Sequence, residues 1–379
     1  MYLSRILTLG LIAGILLARP VHSATFTVGD PAPYAAALLM EPESGSVLFA
    51  YNPHVQRAPA STIKLLLQLI VMEQLESGRY SLEDRIRVSA RASRMGGSQV
   101  FLKHGEEFTL LELFEAIIIA SANDASVSVA EHIGGTAEGF VDMMNDRART
   151  LGLKNTYSVN VHGLDNTPMD ARNLTTAYDL ALIARALVAY PEIMVWSSIR
   201  YKPFRDGQFM LYNTNRLIPQ YAGLDGLKTG YTRRAGYCLV ATAQRHDMRL
   251  ISVILGAGSE RSRNQETARL LSWGFNHFTR VPLVQSGQLM GTVQLGWGRE
   301  PEVRVIAQET AHAVLTPAQE QQLTRTMELP QNRMAPVQEG EGLGRLMVSL
   351  GDSLLGEFDL VAATAVERMT LWERLTSWF

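Results

Sequence analysis

The chain has almost no cysteine. Its 379 residues hold one, Cys238, so no disulfide can close within a single copy. It has no excess of either charge: 35 lysines and arginines stand against 37 acids, a formal net charge of −2. No basic run breaks that balance, so the chain lacks the field that holds a nucleic-acid backbone, and no nucleic-acid partner is expected. No H-E-x-x-H occurs and the 8 histidines are scattered, so no metal site is expected. "GGSQVFLKHGE", from Gly96, has glycines without phosphate-loop spacing. There is no internal repeat and no low-complexity tract. Beyond the first residues, no apolar run reaches the length of a transmembrane helix.

Hydrophobic residues make up 46% of the chain and charged residues 19%. A large packed core is possible and wholesale disorder is not. The length suits two domains. The opening, "MYLSRILTLGLIAGILLARPVHSATF", places Arg5 before an apolar stretch, Ile6 to Leu17, too short to span a bilayer comfortably. Val21 and Ser23 fit a small-residue cleavage site before Ala24, so residues 1–23 are expected to be an export signal. The alternative is an uncleaved anchor.

"YAAALLMEPESGSVLFAYNPH" reads as two strands around a turn at Glu41–Gly45. Helices follow at Ala58–Leu75, at Thr109–Ala120, after "SAND" through Val129, at Gly139–Leu151 and at Leu174–Ala189. From Gly226 the period changes. "DGLKTGYTRRAGYCLVATAQRHDMRLISVILGAG" reads as one short strand and a hairpin of two longer ones, and a helix closes the region near Phe278. Strands at both ends with helices between them predict an α+β domain, an antiparallel sheet with helices packed on it, over residues 24–279. Residues 280–360 alternate in short stretches and read as a small all-β domain. Residues 361–379 are expected to be an amphipathic helix, with Val366, Met369, Trp372, Leu375 and Phe379 on one face. Its aromatic residues suit a membrane interface; docking on its own domain is the alternative. Cys238, in the apolar run "GYCLVATA", reads as a small buried hydrophobe. "NLT" at Asn173 is a glycosylation sequon by pattern only.

The helix "APASTIKLLLQLIVMEQL" is apolar on almost every side, which marks burial, yet Lys64 sits in its first turn, three residues after Ser61. Ser61 could be an N-cap and Lys64 a stem reaching solvent. Chemistry offers another reason for the pair. Residues three apart share a helix face. Burial disfavours the charged form of lysine, and a neutral amine can take the proton of a neighbouring hydroxyl. The helix start adds N–H groups beside the charge that forms. Two further motifs complete a site: Ser121 and Asn123 in "SAND", at a break between helices, and Lys228-Thr229-Gly230 on a strand. S-x-x-K, S-x-N and K-T-G in that order form the set of penicillin-binding proteins and class A β-lactamases.

With "VHGLD" at Val161–Asp165, "DGLKTGYT" running into "AGYCLVATA", and "LLSWGF", the chain resembles the S11 peptidase family. These are low-molecular-weight penicillin-binding proteins, serine-type D-alanyl-D-alanine carboxypeptidases. The resemblance implies a β-lactamase/transpeptidase-like catalytic domain, a β-rich second domain, an amphipathic tail and no cofactor. It implies that Ser61 is acylated, Lys64 activates it, and Ser121 relays a proton to the leaving D-alanine. Asn123 would bond the substrate amide. Lys228 and Thr229 would hold the substrate carboxylate, and Gly230 would let substrate lie against the strand. The backbone N–H groups of Ser61 and Tyr231 would form the oxyanion hole. The implied partners are the peptidoglycan stem pentapeptide, β-lactam antibiotics and, through the tail, the membrane surface. The implied location is the periplasm or the outer face of the cytoplasmic membrane. Where some relatives carry arginine, this chain has Thr214, with Arg216 two positions on, so the role of an arginine stays open.

A class A β-lactamase would need a glutamate with asparagine four residues later. Glu131, Glu138 and Glu192, the glutamates between Ser121 and Lys228, lack it. A peptidoglycan endopeptidase shares all three motifs and remains the main alternative. A binding protein without activity should have lost part of the polar set.

Overall fold

The computed structural model describes residues 26–165 and 172–376. The expected export signal lies outside them. In chain order the elements are β1 (Ala36–Met40), β2 (Val47–Tyr51), α1 (Lys64–Glu76), β3 (Arg85–Arg87), β4 (Glu107–Thr109), α2 (Leu110–Ala120), α3 (Asn123–Gly134), α4 (Ala137–Thr150), α5 (Ala177–Leu187) and α6 (Pro191–Ser198). Then come β5 (Tyr201–Phe204), β6 (Phe209–Tyr212), β7 (Leu224–Thr232), β8 (Gly236–Arg245), β9 (Met248–Ala257) and α7 (Glu260–His277). The second domain holds β10 (Thr279–Val284), β11 (Leu289–Gly296), β12 (Glu302–Ala307), β13 (Ala311–Leu315), α8 (Pro317–Glu320), β14 (Leu323–Glu328), β15 (Asn332–Met334), β16 (Gly342–Leu350), β17 (Ser353–Ala362) and α9 (Leu371–Thr376).

The first domain is built on a five-stranded sheet in the order β2-β1-β9-β8-β7, antiparallel throughout. The two ends of the domain therefore meet in one sheet, as the sequence pattern predicts. Apolar side chains on one sheet face, among them Ile251, Val253 and Leu255, join the core around α1, α2, α3 and α5. Leu250 and Ile254, on the other face, pack with Leu270 and Leu271 of α7. Helix α1 is buried from Lys64 through Met72, which explains a helix with no polar face.

Helix ends follow local chemistry. Thr109 caps α2 in a reciprocal box with Glu112, and Thr136, Thr176 and Ser259 cap α4, α5 and α7. Some features depart from expectation. Helix α6, opened by Pro191, was not anticipated. Strand β7 spans 9 residues rather than a few. It is the sheet edge, and glycines and a lysine hide its apolar alternation.

The second domain has a six-stranded sheet, β14-β16-β17-β12-β11-β15, and a separate pair, β10-β13. Its core gathers Val293, Val305, Val348, Leu360 and neighbours. Helix α7 ends at His277 and β10 begins at Thr279, so the domains follow directly on each other. Val314 of β13 packs into the α7 side of the first domain's core. The turn after β1 reaches the same junction: Glu43 pairs with Arg280 at 2.8 Å and lies 3.1 Å from His312 Nε2. Arg280 donates to His312 Nδ1 (2.9 Å). With Glu41 these acids and His312 form the one group of metal-ligand type among the described residues. Arg280 between them makes it an ion-pair cluster.

The tail is a correction. The expected amphipathic helix is short. Val366 is 4% exposed in the β-domain core and bridges Val337, and Arg368 bridges Gly298. Among its described residues, only Leu371–Thr376 is helical. Alternation of apolar residues at Val366 and beyond serves strand-like pairing before any helix starts. Leu371 and Trp372 are exposed, while Arg374 stacks on Trp297 at 3.9 Å and Arg299 pairs with Glu367 and Glu373.

Candidate active site

Ser61 lies in a 3-10 turn, Ala60–Ile63, that leads straight into α1. It caps nothing. Its Oγ donates to the carbonyl of His162 (3.4 Å) and accepts from Lys64 Nζ (3.0 Å). Ala60, just before it, holds a left-handed φ of 47°. Such a conformation in a non-glycine residue persists only where the surroundings enforce it. The enforcement is visible: a Cβ on Gly163 would come within 2.0 Å of the Ala60 carbonyl oxygen, so the loop after His162 presses directly on this turn.

Lys64 opens α1 and is 0% exposed. It does not snorkel. Its Nζ donates to Asn123 Oδ1 (2.6 Å) and to the carbonyls of Ser121 (3.0 Å) and His162 (3.1 Å), with Ser121 Oγ at 3.5 Å. Every partner is a neutral oxygen. Burial, and then the charge of Lys228, hold its pKa well below the ordinary lysine value, with Asp124 opposing.

Ser121 ends α2 in a left-handed conformation, φ 61°. This reversal turns its side chain back toward Lys64 and starts α3 at Asn123. The Asn123 amide is engaged at both ends, since Nδ2 donates to the Gly96 carbonyl (2.7 Å). Asp124 takes the N–H groups of Val100 and Leu102, which pins the Gly96–Leu102 loop at the site.

Strand β7 brings Lys228, Thr229, Gly230 and Tyr231. Lys228 is buried and donates to the Thr229 carbonyl (3.1 Å). Burial, then Arg263, lower its pKa to about 7. No hydrogen bond joins it to Ser121 among the described residues. Thr229 Oγ1 donates to Thr214 Oγ1 (2.7 Å). Gly230 also lies close against the turn that carries Ser61. A Cβ there would lie 3.0 Å from Pro59 O, Ser61 N and Thr62 N. The missing side chain lets the 3-10 turn approach the strand. The Tyr231 ring is 55% exposed and rests against Tyr237, with centroids 4.3 Å apart.

Three contributors lie outside the S-x-x-K, S-x-N and K-T-G motifs. His162 acts through its carbonyl; burial, then Lys64 and Arg91, depress its imidazole to about 3, so the ring is neutral. Thr214 lies against Thr229. Arg263 of α7 is 4% exposed and sits at the cleft. Cys238 faces Gly230 across the β7-β8 ladder, and burial pushes its thiol up to about 11, so it is inert packing.

Ser61, Ser121, Thr229, Gly230 and Tyr231 line one open cleft of about 780 Å³. Behind them Lys64, Asn123 and Lys228 are buried. A hydroxyl beside a desolvated amine, a second hydroxyl within reach of that amine and backbone N–H groups at a helix start are the parts required for acyl transfer without histidine.

Comparison with known proteins gives the same answer. Residues 26–259 match the D-alanyl-D-alanine carboxypeptidase family, and residues 278–368 match the C-terminal domain of penicillin-binding protein 5. The chain is 37% identical over 332 residues to D-alanyl-D-alanine carboxypeptidase DacF of Bacillus subtilis, covering 86% of this chain and 84% of that one. Its structure resembles penicillin-binding protein 5 of Haemophilus influenzae, with a TM-score of 0.75, 28% identity and coverage of 93% and 100%. It also resembles penicillin-binding protein D2 of Listeria monocytogenes in its ampicillin-bound form, with a TM-score of 0.59, 29% identity and coverage of 64% and 98%. The motifs, the two-domain plan and these likenesses together make the chain a member of the D-alanyl-D-alanine carboxypeptidase family of serine peptidases.

Proposed function

We propose that the protein is a serine-type D-alanyl-D-alanine carboxypeptidase that removes the terminal D-alanine from peptidoglycan pentapeptide stems. Lys64 takes the proton of Ser61, and Oγ attacks the carbonyl of the penultimate D-alanine. The N–H groups of Ser61 and Tyr231 hold the oxyanion. Ser121 passes the proton to the leaving nitrogen, while Thr229 and Lys228 hold the substrate carboxylate. Asn123 keeps Lys64 in place and has one amide hydrogen left for the substrate. Water then releases the shortened peptide from Ser61.

One observation carries this reading: a fully buried amine 3.0 Å from a hydroxyl, with only neutral oxygens as partners. The experiment is incubation with a pentapeptide and measurement of D-alanine. Wild type releases it; Ser61→Ala is at least about 10³-fold slower and no longer labels with a fluorescent penicillin. Absence of release from wild type overturns the reading.

We place penicillins on Ser61 as slowly released acyl groups, because no glutamate between Ser121 and Lys228 has an asparagine four residues later. Export of residues 24–379, catalytic and β-rich units dividing near residue 279, and an extracytoplasmic site of action fit a cell-wall substrate. No single helix among the described residues is long and apolar enough to cross a membrane. Exposed Leu371 and Trp372 support a peripheral contact through the tail.

A further inference from the structure

Two points fix how substrate lies in the proposed reaction. Its carboxylate is held at Thr229, and its oxyanion sits at the Tyr231 N–H. Strand β7 is the edge of its sheet, and an extended peptide adds to such an edge as one more strand. The substrate C-terminus points back toward Thr229, so the acyl part runs onward past Tyr231. At about 3.4 Å per residue, the penultimate D-alanine lies opposite Tyr231. The stem residue before it then lies opposite Thr232, and the one before that opposite Arg233.

The chain there is a tight turn, Arg233-Arg234-Ala235, between Thr232 and Gly236, which face each other across β7-β8. The turn is firmly placed. Ala235 is 1% exposed in the main core, its N–H donates to Thr232 Oγ1 (3.1 Å), and Gly236 takes a left-handed φ of 71°. The two arginines are exposed. Neither makes an ion pair or a side-chain hydrogen bond among the described residues. By contrast, Arg147, Arg205 and Arg249 of the same domain pair with Glu73, Glu106 and Asp225. No acid stands in the chain between Asp225 and Asp247, and the two adjacent charges repel each other. A guanidinium group matches a carboxylate with two parallel hydrogen bonds. Two such groups stand here, on the path of the acyl chain, with no described acid to meet.

We propose that the Arg233-Arg234 turn binds a free carboxylate on the acyl side of the scissile bond, one or two residues before the penultimate D-alanine. The enzyme therefore prefers stems whose acyl residues keep such a carboxylate over stems in which it is amidated or missing. This rests on the carboxypeptidase reading and adds a specificity site to it; the chemistry at Ser61 is the same for both kinds of stem.

The test measures D-alanine release from acyl-X-D-alanyl-D-alanine with X as L-glutamate or L-glutamine. A second set keeps L-glutamine as X and places γ-linked D-glutamate before it, with its α-carboxylate free or amidated. Wild type is expected to favour the carboxylate over the amide by at least about threefold in kcat/KM in one set or both. The set that shows the preference identifies the stem residue that supplies the carboxylate. Arg233→Gln combined with Arg234→Gln brings that ratio down to about one, and high salt narrows it in wild type. Because each ratio is taken within one protein, a general loss of folding or chemistry does not imitate the effect. No preference in either set, or a ratio unchanged in the double variant, overturns this inference alone. Failure to release D-alanine from any of the peptides overturns the carboxypeptidase reading itself.

Discussion

Lys64 and Lys228 are both buried without a carboxylate partner, and both are displaced from the usual lysine range. In the proposed mechanism their tasks are opposite. Lys64 must be neutral to take a proton, so activity rises with pH as it loses its own. Lys228 must be charged to attract a carboxylate, so kcat/KM for the free enzyme falls as pH rises through about 7. Bound substrate brings a negative charge that raises the Lys228 pKa, so the alkaline limb of kcat lies at higher pH than that of kcat/KM. Lys228→Arg keeps a charge at all working pH values. Its pH–rate profile is expected to lose the limb near 7, with kcat/KM about tenfold lower from altered geometry. Persistence of that limb in the variant assigns it to another group. At this scale, the grouping of Ser61, Lys64, Ser121 and Asn123 was legible because acyl transfer would demand those residue types at those spacings. His162 was not, since it acts through a carbonyl that any residue carries. Arg263 sits in "RSRNQE", which reads as surface until α7 packs.

At the level of elements, the site is a meeting of a 3-10 turn, a helix break and an edge strand. Gly230 sets how close strand and turn come. In Gly230→Ala the new Cβ would lie 3.0 Å from three backbone atoms that cannot rotate away. Relief requires β7 to move from Ser61, which separates the N–H groups of Ser61 and Tyr231. Loss of about 1–3 kcal/mol of stability and about a hundredfold in kcat is expected, measured by thermal melting and D-alanine release. Normal kcat in the variant shows that the spacing of turn and strand is not critical. Most elements were readable from period and caps. Strand β7 was misjudged in length and α6 was missed because periodicity reports burial of apolar side chains. One element is an edge of glycine and lysine; the other has only Ile193 and Ser197 buried. The tail was misread for the related reason that Val366 and Met369 fit a helical face as well as they fit bridging strands.

Across the whole molecule, the two domains share apolar surface as well as chain. Val314 is 6% exposed within the first domain's core, and the Glu43–Arg280–His312 cluster closes over the junction. Val314→Ala removes two methyl groups' worth of burial, about 1–2 kcal/mol. Calorimetry is expected to show the β-rich domain melting apart from the catalytic domain, with D-alanine release from soluble pentapeptide little changed. A single unchanged transition shows that the junction does not couple the domains. The arrangement of two domains was readable from the change in alternation after Val281; their shared core was not, because Val314 looks like any other inward strand residue.

The central pairing of the catalytic sheet, Ala36 with Leu255, joins the start of the domain to its end. A ribosome delivers the chain from one end, so one edge of β1 can pair with β2 at once while its other edge must wait for β9. Ser61 and Lys64 emerge early, yet the strand carrying Lys228 and Tyr231 follows much later. The fold thus has a built-in delay: synthesis of nearly the whole domain precedes both its closure and its reactivity. A chain carried across a membrane before that moment travels without a finished sheet to unravel and without an assembled nucleophile.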